Sequence, residues 1–495
     1  MQQTMKTKKI LLQITLFASL LGIVACTEKF LDPTIPQVDE ELYFNSEKNA
    51  QLALTGCYSV LGWDDSNFLQ FWLGDILGHD AHKGGEGAGD NAWIEPLLRF
   101  QYNANNEGLI NPYKNYFIGV GRCNKLIDGV TKMSDNLIDA DMKERIIAEA
   151  KFIRGYFYFE LVRTYGKVPL VTKVLSPSEY KQPLAEISAI YAQIEQDFKD
   201  AALILPEKSE YTTEDMGRAT KGAANAMLCK AYIYQEKWSE ALAIAEEIIN
   251  PTAPAIPQYH LESDYANNWA YPHENGPESV FEIQFGNIPG GSNWGDQNTG
   301  NVYSIFMRSR NLDAGWGFNL PNQNLYDEYE AGDPRRDATI ITDGEILWPG
   351  TADEVVADNS TNWASNIDKM CNQKYQLPFS LQAENMSDDP NNWIVIRYAE
   401  VLLWAAEAAY HTGGDWQSYL TEVRDRVGLG ASPYLADPVK AIFHERRCEL
   451  AMEGHALWDI IRSGRGVEVL GQFGYTEANN HYFPIPQAQV DLGGF

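Results

Sequence analysis

The feature that most restricts the fold is a pair of apolar stripes at helical spacing, joined by a turn only a few residues long. Ala223, Met227, Ala231 and Tyr234 recur at three- and four-residue intervals, and after a turn near Glu236 so do Trp238, Leu242, Ala245 and Ile249. Recurrence of this kind marks one buried face of a helix. Pro251 closes the second helix, because its ring cannot continue the hydrogen-bond ladder. Alanines at the crossing positions let the two axes approach closely, while the tyrosine and the tryptophan fill the space between neighbouring pairs.

Small residues and aromatics arranged this way, within a period of about 34 residues, form a tetratricopeptide-type unit. Such a unit needs stacked neighbours to bury its outer faces. Ile146, Ala150, Ile153, Phe157 and Leu161 mark another helix, expected to stop near Gly166 ahead of Val168-Pro169, and a further one runs from Gln193 to Leu203 and ends at Pro206. Tyr398 to Tyr410, Trp416 to Val427 and then Val439 to Ser463 repeat the logic. The expected fold is mainly α: an α/α superhelix of tetratricopeptide-like helix pairs, with a loop-rich irregular lobe containing short strands. The scaffold is expected over roughly 40–61, 112–250 and 391–470, and the lobe over roughly 62–111 and 251–390. The lobe segments are rich in Gly, Asn, Asp, Pro and Trp, and offer only short strand candidates such as Ser279 to Phe285. Ordered loops of this length are usually functional.

The N-terminus is read as an export signal. Lys6, Lys8 and Lys9 precede an apolar run from Ile10 to Val24, which is too short to span a bilayer as a folded helix. The run ends Ile23-Val24-Ala25-Cys26, a pattern that resembles the bacterial lipobox and implies cleavage before Cys26 and lipidation of its thiol. The expected arrangement is a signal peptide over 1–25 and an anchored protein over 26–495, soluble apart from its lipid. Without the three lysines of the signal, the formal charge falls from −29 to about −32. An acidic surface of this kind repels phosphate backbones, which excludes nucleic acid as a partner. Cys57, Cys123, Cys229, Cys371 and Cys448 are singly placed with no CxxC, so zinc, iron–sulfur and disulfide-framework readings are weak. Cys229 and Cys448 fall inside helical patterns and read as buried thiols.

Several stretches, taken in order, resemble one known family. They are Glu149-Ala150-Lys151-Phe152-Ile153-Arg154-Gly155-Tyr156-Phe157-Tyr158-Phe159 with Tyr165-Gly166-Lys167-Val168-Pro169-Leu170; Tyr329-Glu330-Ala331-Gly332-Asp333-Pro334-Arg335; and Val395-Ile396-Arg397-Tyr398-Ala399-Glu400-Val401-Leu402-Leu403. Glu445-Arg446-Arg447-Cys448-Glu449-Leu450, Glu453-Gly454 and Phe483-Pro484-Ile485-Pro486 complete the series. Behind a lipobox, this order resembles the SusD/RagB family of outer-membrane nutrient-binding lipoproteins of Bacteroidetes. The resemblance implies a mostly helical fold with four tetratricopeptide-like repeats and a variable lobe. It also implies a surface-exposed lipoprotein that acts as a lid on a SusC-type TonB-dependent transporter and binds oligosaccharides or, in some relatives, peptides. One departure is His455, where the family often has arginine after Glu-Gly, which weakens one expected ion pair.

The charges in these motifs read as scaffold. Arg446, Glu449 and Glu453 are spaced to share a helix face and pair, as are Arg397 and Glu400, while Arg335 is placed to cap the Gly332-Asp333-Pro334 turn. A surface glycoside hydrolase would need two carboxylates across a sugar-sized gap, and among 68 acids some such pair is inevitable. No Ser/His/Asp set, HExxH or phosphate loop is visible. A pure protein-interaction scaffold is the other alternative. The weak metal candidates are Asp75, His79, Asp80 and His82: the spacing of the two histidines would let them meet on a helical turn, but Gly78, Gly84 and Gly85 make the segment a loop. No cofactor is required, and the acidic loops leave room for a structural calcium ion.

A sugar presents apolar C–H faces and rings of hydroxyls, so its receptor needs aromatic platforms beside polar side chains. The expected platforms are Trp63, Trp72, Trp93, Trp269, Trp294, Trp316 and Trp363, with Asp64, Asp65, Asn67, Asp90, Asn91, Asn293 and Arg308 as polar partners. Residues 62–93 are expected to form one wall of the site and 290–318 the other. Trp238, Trp404, Trp416 and Trp458 sit on helical periods and are expected mostly in the core.

Overall fold

The computed structural model describes residues 43–493 apart from 65, 67, 68, 287–299, 314, 360–366, 386 and 387, with backbone only at 69–72 and 313. Its longer helices are α1 (Glu47–Tyr58), α2 (Glu107–Lys132), α3 (Ala140–Tyr165), α4 (Ile187–Ile204), α5 (Lys221–Ile233) and α6 (Trp238–Ile249). After the lobe come α7 (Tyr398–Thr412), α8 (Trp416–Arg426), α9 (Pro438–Glu449) and α10 (Ala456–Arg462). The expected α/α superhelix is what forms. Each helix from α2 to α6 packs on the next, and α6 then packs directly on α7 although residues 250–397 lie between them in sequence. The scaffold is continuous in space and interrupted only along the chain.

Local chemistry sets the helix limits. Asp139 accepts hydrogen bonds from the amides of Asp141 and Met142 at the start of α3, and Thr220 accepts from Ala223 at the start of α5. Gly166 ends α3 with φ +68°, and Gly413 ends α7 with φ +77°. The α5–α6 turn passes through Glu236 at φ +56°. Ala223, Ala231, Ala241 and Ala245 are fully buried at the crossing, as the close approach requires, and Trp404 is fully buried in α7. Trp416 and Trp458 are buried too, whereas half-buried Trp238 stacks on His411 at 4.1 Å. All five downstream cysteines are buried free thiols.

One expected element is broken. Val439 to Ser463 is not a single helical run: α9 ends at Glu449, Met452 (φ +63°) and Gly454 (φ +82°) turn the chain, and α10 begins at Ala456. Glu453 therefore lies beyond the helix that carries Arg446 and Glu449. The two proposed local pairings fail as well. Arg446 pairs with Asp459 and Glu400, and Arg397 pairs with Glu278, Glu449 and Glu453. Arg335 does close its turn, donating from Nε and Nη2 to Asp333.

The lobe contains short antiparallel ladders, each of two strands: β1 (Ala81–Gly84) with β3 (Phe318–Pro321), β2 (Ser279–Ile283) with β8 (Trp393–Arg397), β4 (Ile340–Thr342) with β7 (Met370–Asn372), and β5 (Ile346–Leu347) with β6 (Val355–Val356). β8 runs straight into α7, so the β2–β8 ladder fixes the lobe to the scaffold. Among the described residues no helix is long and apolar enough to cross a membrane.

Candidate functional site

The β1–β3 ladder is what brings the two expected walls together. Ala81 faces Pro321, His82 faces Leu320 and Gly84 faces Phe318. The register continues as the Gly85 amide donates to the Gly317 carbonyl at 2.8 Å. Glycine is obligatory at 84, where φ is +80° and a Cβ would sit 2.1 Å from the Gly317 oxygen. With this close approach, the loop 85–91 lies against Arg310 and Gly317.

Two side chains not anticipated from sequence hold the loop. Lys83 is buried and donates from Nζ to the carbonyls of Gly87, Ala88 and Asp90, while pairing with Glu95 at 2.9 Å. Arg310 spans the walls: its Nε donates to the Trp316 carbonyl at 3.0 Å, its Nη1 to Glu86 at 3.1 Å, and its Nη2 lies 3.7 Å from Asp90. Around this bridge stand four of the expected polar and aromatic groups. Asn91, at φ +46°, accepts from the Trp93 indole N–H at 3.2 Å, and Asp90 accepts from the Glu86 amide. Half-buried Trp93 lies over Gly108, where a Cβ would come within 2.2 Å of its ring. Trp316, also half-buried, meets Phe306 edge-on at 4.6 Å.

Other expected site residues lie elsewhere. Trp63 is only 3 % exposed and packs in the core with the Arg122 guanidinium over its ring, so it is no open platform. Asp64 is buried and its carbonyl accepts from Tyr303. Arg308 is buried beside Asp389 at 3.5 Å. Trp269 is half-buried, but Lys374 sits 4.2 Å and Arg397 5.1 Å from its ring centre, so it covers buried charges. Trp72 belongs to a π-helix, Leu69–Ile76, a form frequent at functional sites, and its side chain lies outside the described residues. Asp65, Asn67, Asn293, Trp294 and Trp363 also lie outside them. Trp348, absent from the expected set, stands at φ +48° after β5 and meets Phe379 edge-on at 5.4 Å.

The histidine cluster does not converge. His82 lies on β1, not on a helical turn with His79, and its Nε2 is 2.7 Å from Asp368. His79 stacks on Phe473, Asp80 pairs with Arg447, and Asp75 accepts from Asn319 and the Gly454 amide. Among the described residues no group of three or more His, Cys, Asp or Glu side chains is placed to hold a metal ion.

Comparison with known proteins covers nearly the whole chain. The profile of the SusD family matches residues 277–493, and one described as starch-binding, associating with the outer membrane, matches 78–233. The SusD-like protein P2 of Formosa agariphila is 25% identical, with 97% of each chain covered. Among solved structures, a laminarin binding SusD-like protein is 30% identical, superposes with a TM-score of 0.78, and matches over 90% of this chain and 97% of its own. Surface glycan-binding protein A from Bacteroides thetaiotaomicron is 25% identical, with a TM-score of 0.77 over 92% of this chain and 99% of its own.

Proposed function

This chain belongs to the SusD family, and from that premise we propose that it is a cell-surface binding protein that captures an oligosaccharide and passes it to a SusC-type TonB-dependent transporter. The observation that carries the reading is the 30% identity, over nearly its full length, to a protein named for binding laminarin. The joined walls around Arg310 support it, since they set Trp93 and Trp316 beside Asp90 and Asn91. In this reading residues 1–25 are removed, Cys26 carries the lipid, and 26–495 form one SusD-like unit with the scaffold and lobe ranges given above. Binding, not turnover, is the activity.

The test is titration of the purified protein with a glycan panel that includes laminarihexaose. Saturable binding with the glycan recovered unchanged supports the reading, and steady product release or no binding to any glycan overturns it. Trp93→Ala should weaken binding by about 1 to 3 kcal/mol if a sugar ring stacks there, with the far-ultraviolet circular dichroism unchanged. Unchanged affinity by isothermal titration removes Trp93 from the site.

The anchor separates from the site. Among the described residues no helix is long and apolar enough to cross a membrane and each sheet has two strands, and in this reading transport is left to the partner. Cys26→Ala should abolish membrane retention and slow growth on a limiting glycan, while the purified variant keeps its glycan affinity. Normal retention in a membrane fractionation would contradict lipidation at this residue.

A further inference from the structure

His79 and His82 border a cavity of about 490 Å³ between the start of β1, α9, α10 and the turn that ends at Phe473. Its size falls in the range of roughly 300–1,000 Å³ usual for small-molecule sites. The floor is apolar, made by Phe443, Leu450, Ile460, Val469 and Phe473. The polar lining is dominated by guanidinium groups: Arg446, Arg447 and Arg465 against the carboxylates of Asp80 and Asp459. His79 and His455 add no charge near neutrality. Burial lowers the His79 imidazole to about 4, and burial together with Lys230 and nearby arginines holds His455 well below its ordinary range.

The three arginines are not equally compensated. Arg447 is committed to Asp80 at 2.6 Å and Glu328 at 2.7 Å. Arg446 is committed to Asp459 at 2.8 Å and Glu400 at 3.4 Å, yet among the described residues its buried Nη1 has no hydrogen-bond partner. Among the described residues the carboxylate paired with Arg465 is Glu468, 3.8 Å away on a largely exposed side chain. Arg465 is therefore the least compensated guanidinium of a lining that also offers an apolar floor.

We propose that this cavity is a second ligand site, separate from the glycan walls, which takes a small amphipathic carboxylate with its apolar body on the floor and its charge toward Arg465. The same geometry argues against a sugar here, because the aromatic faces are already occupied. His79 stacks on Phe473 at 3.3 Å with an interplanar angle of 10°, and Arg462 and Arg465 lie 5.4 and 5.5 Å from the Phe443 ring centre. A hydrocarbon body gains from leaving water for such a floor, and a guanidinium suits a carboxylate better than a hydroxyl.

The test uses the full chain and three probes: octanoate, which has both parts; acetate, which has only the charge; and 1-octanol, which has only the body. Octanoate should bind at one saturable site by isothermal titration, at least roughly tenfold tighter than either of the others. Arg465→Gln, at a half-exposed position, should weaken octanoate roughly tenfold. Val469→Trp should fill the floor and abolish binding, and both variants should melt and bind laminarihexaose as the parent does. Octanoate binding that is absent, unchanged in both folded variants, or no tighter than 1-octanol overturns the assignment. The parallel glycan titration keeps that failure distinct from a failure of the glycan reading.

Discussion

Arg397→Met should destabilise the protein by about 3 to 5 kcal/mol, the range for removing one partner from a buried ion pair. Arg397 is 1 % exposed and bridges three carboxylates: Nη1 bonds Glu278 and Glu449, while Nε and Nη2 hold Glu453 at 2.9 and 2.8 Å. Those acids share further cations. Arg335 and Arg426 reach Glu449 at 2.9 and 2.5 Å, Arg426 reaches Glu278 at 3.1 Å, and Lys374 reaches Glu453 at 2.7 Å. The cluster ties β2, β8, α8, α9 and the loop at 453 to one another, so loss of the central guanidinium leaves negative charge in a place water cannot reach. Methionine is close in length, which limits the contribution of a cavity to the measured change. The remaining cations are why the expected loss stays within the usual range. Lys167→Ala, which removes an exposed pair with Glu186, should cost no more than about 1 kcal/mol. Urea unfolding of the two variants checks this, and similar midpoints for both would mean that the buried cluster contributes no more than a surface pair.

The same cluster sets acid sensitivity. Burial alone would push the Glu449 carboxyl up, but Arg426, Arg397 and Arg335 outweigh it and hold the group well below the ordinary carboxylate value. An acid depressed in the folded state stabilises the fold above its unfolded pKa, and that contribution is lost as pH falls toward the depressed value.

What could be read from sequence divides along the range of the interaction. The α5–α6 pair was legible because burial on a helix repeats every three or four residues, and Ala223, Ala231, Ala241 and Ala245 all lie within one turn-connected segment. The salt-bridge partners were not. Arg446, Glu449 and Glu453 have helical spacing, yet the chain leaves the helix at Glu449, and Arg446 finds Asp459 beyond the break. The partners of Arg397 are Glu278, Glu449 and Glu453, and no local spacing encodes them. The site shows the same division. Residues 62–93 and 290–318 stood out by composition, but neither the β1–β3 pairing nor Arg310, which joins Glu86 to the Trp316 carbonyl, carried a local signal. Arg308 caps the short helix Val302–Met307 and Arg310 begins the next one, Arg310–Asp313, and only the fold turns Arg308 toward Asp389 and Arg310 toward Glu86. Trp63 misled because a loop-like Gly/Asp context does not report that Arg122 closes over its ring. Lys83 carried no signal beyond its place beside two glycines.

Asp75→Asn should remove a large pH dependence from the stability of the protein. Asp75 lies one residue before the end of the π-helix and ties three parts of the chain, accepting from Asn319 Nδ2 on β3 at 3.0 Å and from the Gly454 amide at 2.9 Å. It is 1 % exposed, and burial raises its carboxyl from 3.8 to about 8, outweighing the two hydrogen bonds that favour the charged form. The folded protein therefore holds a proton at Asp75 between about pH 4 and pH 8 that the unfolded chain has released. Its contribution to stability is full below pH 4, declines as pH rises across that window, and is gone above pH 8. A gap of about four units corresponds to something on the order of 5 kcal/mol. Other groups titrate in the same range, among them Lys374, lowered to about 8 chiefly by burial, so the quantity to measure is the difference between parent and variant. Asparagine keeps the shape and can still accept from Gly454. Its new N–H needs an acceptor, and among the described residues the buried Asn319 Oδ1 has no donor, so rotation of the Asn319 amide completes the pair. Urea unfolding of both proteins from pH 4 to pH 9 should show the parent losing ground steadily to the variant as pH rises. Parallel curves would place the Asp75 pKa near its unfolded value and remove the joint between β3 and the π-helix as a pH-sensitive element.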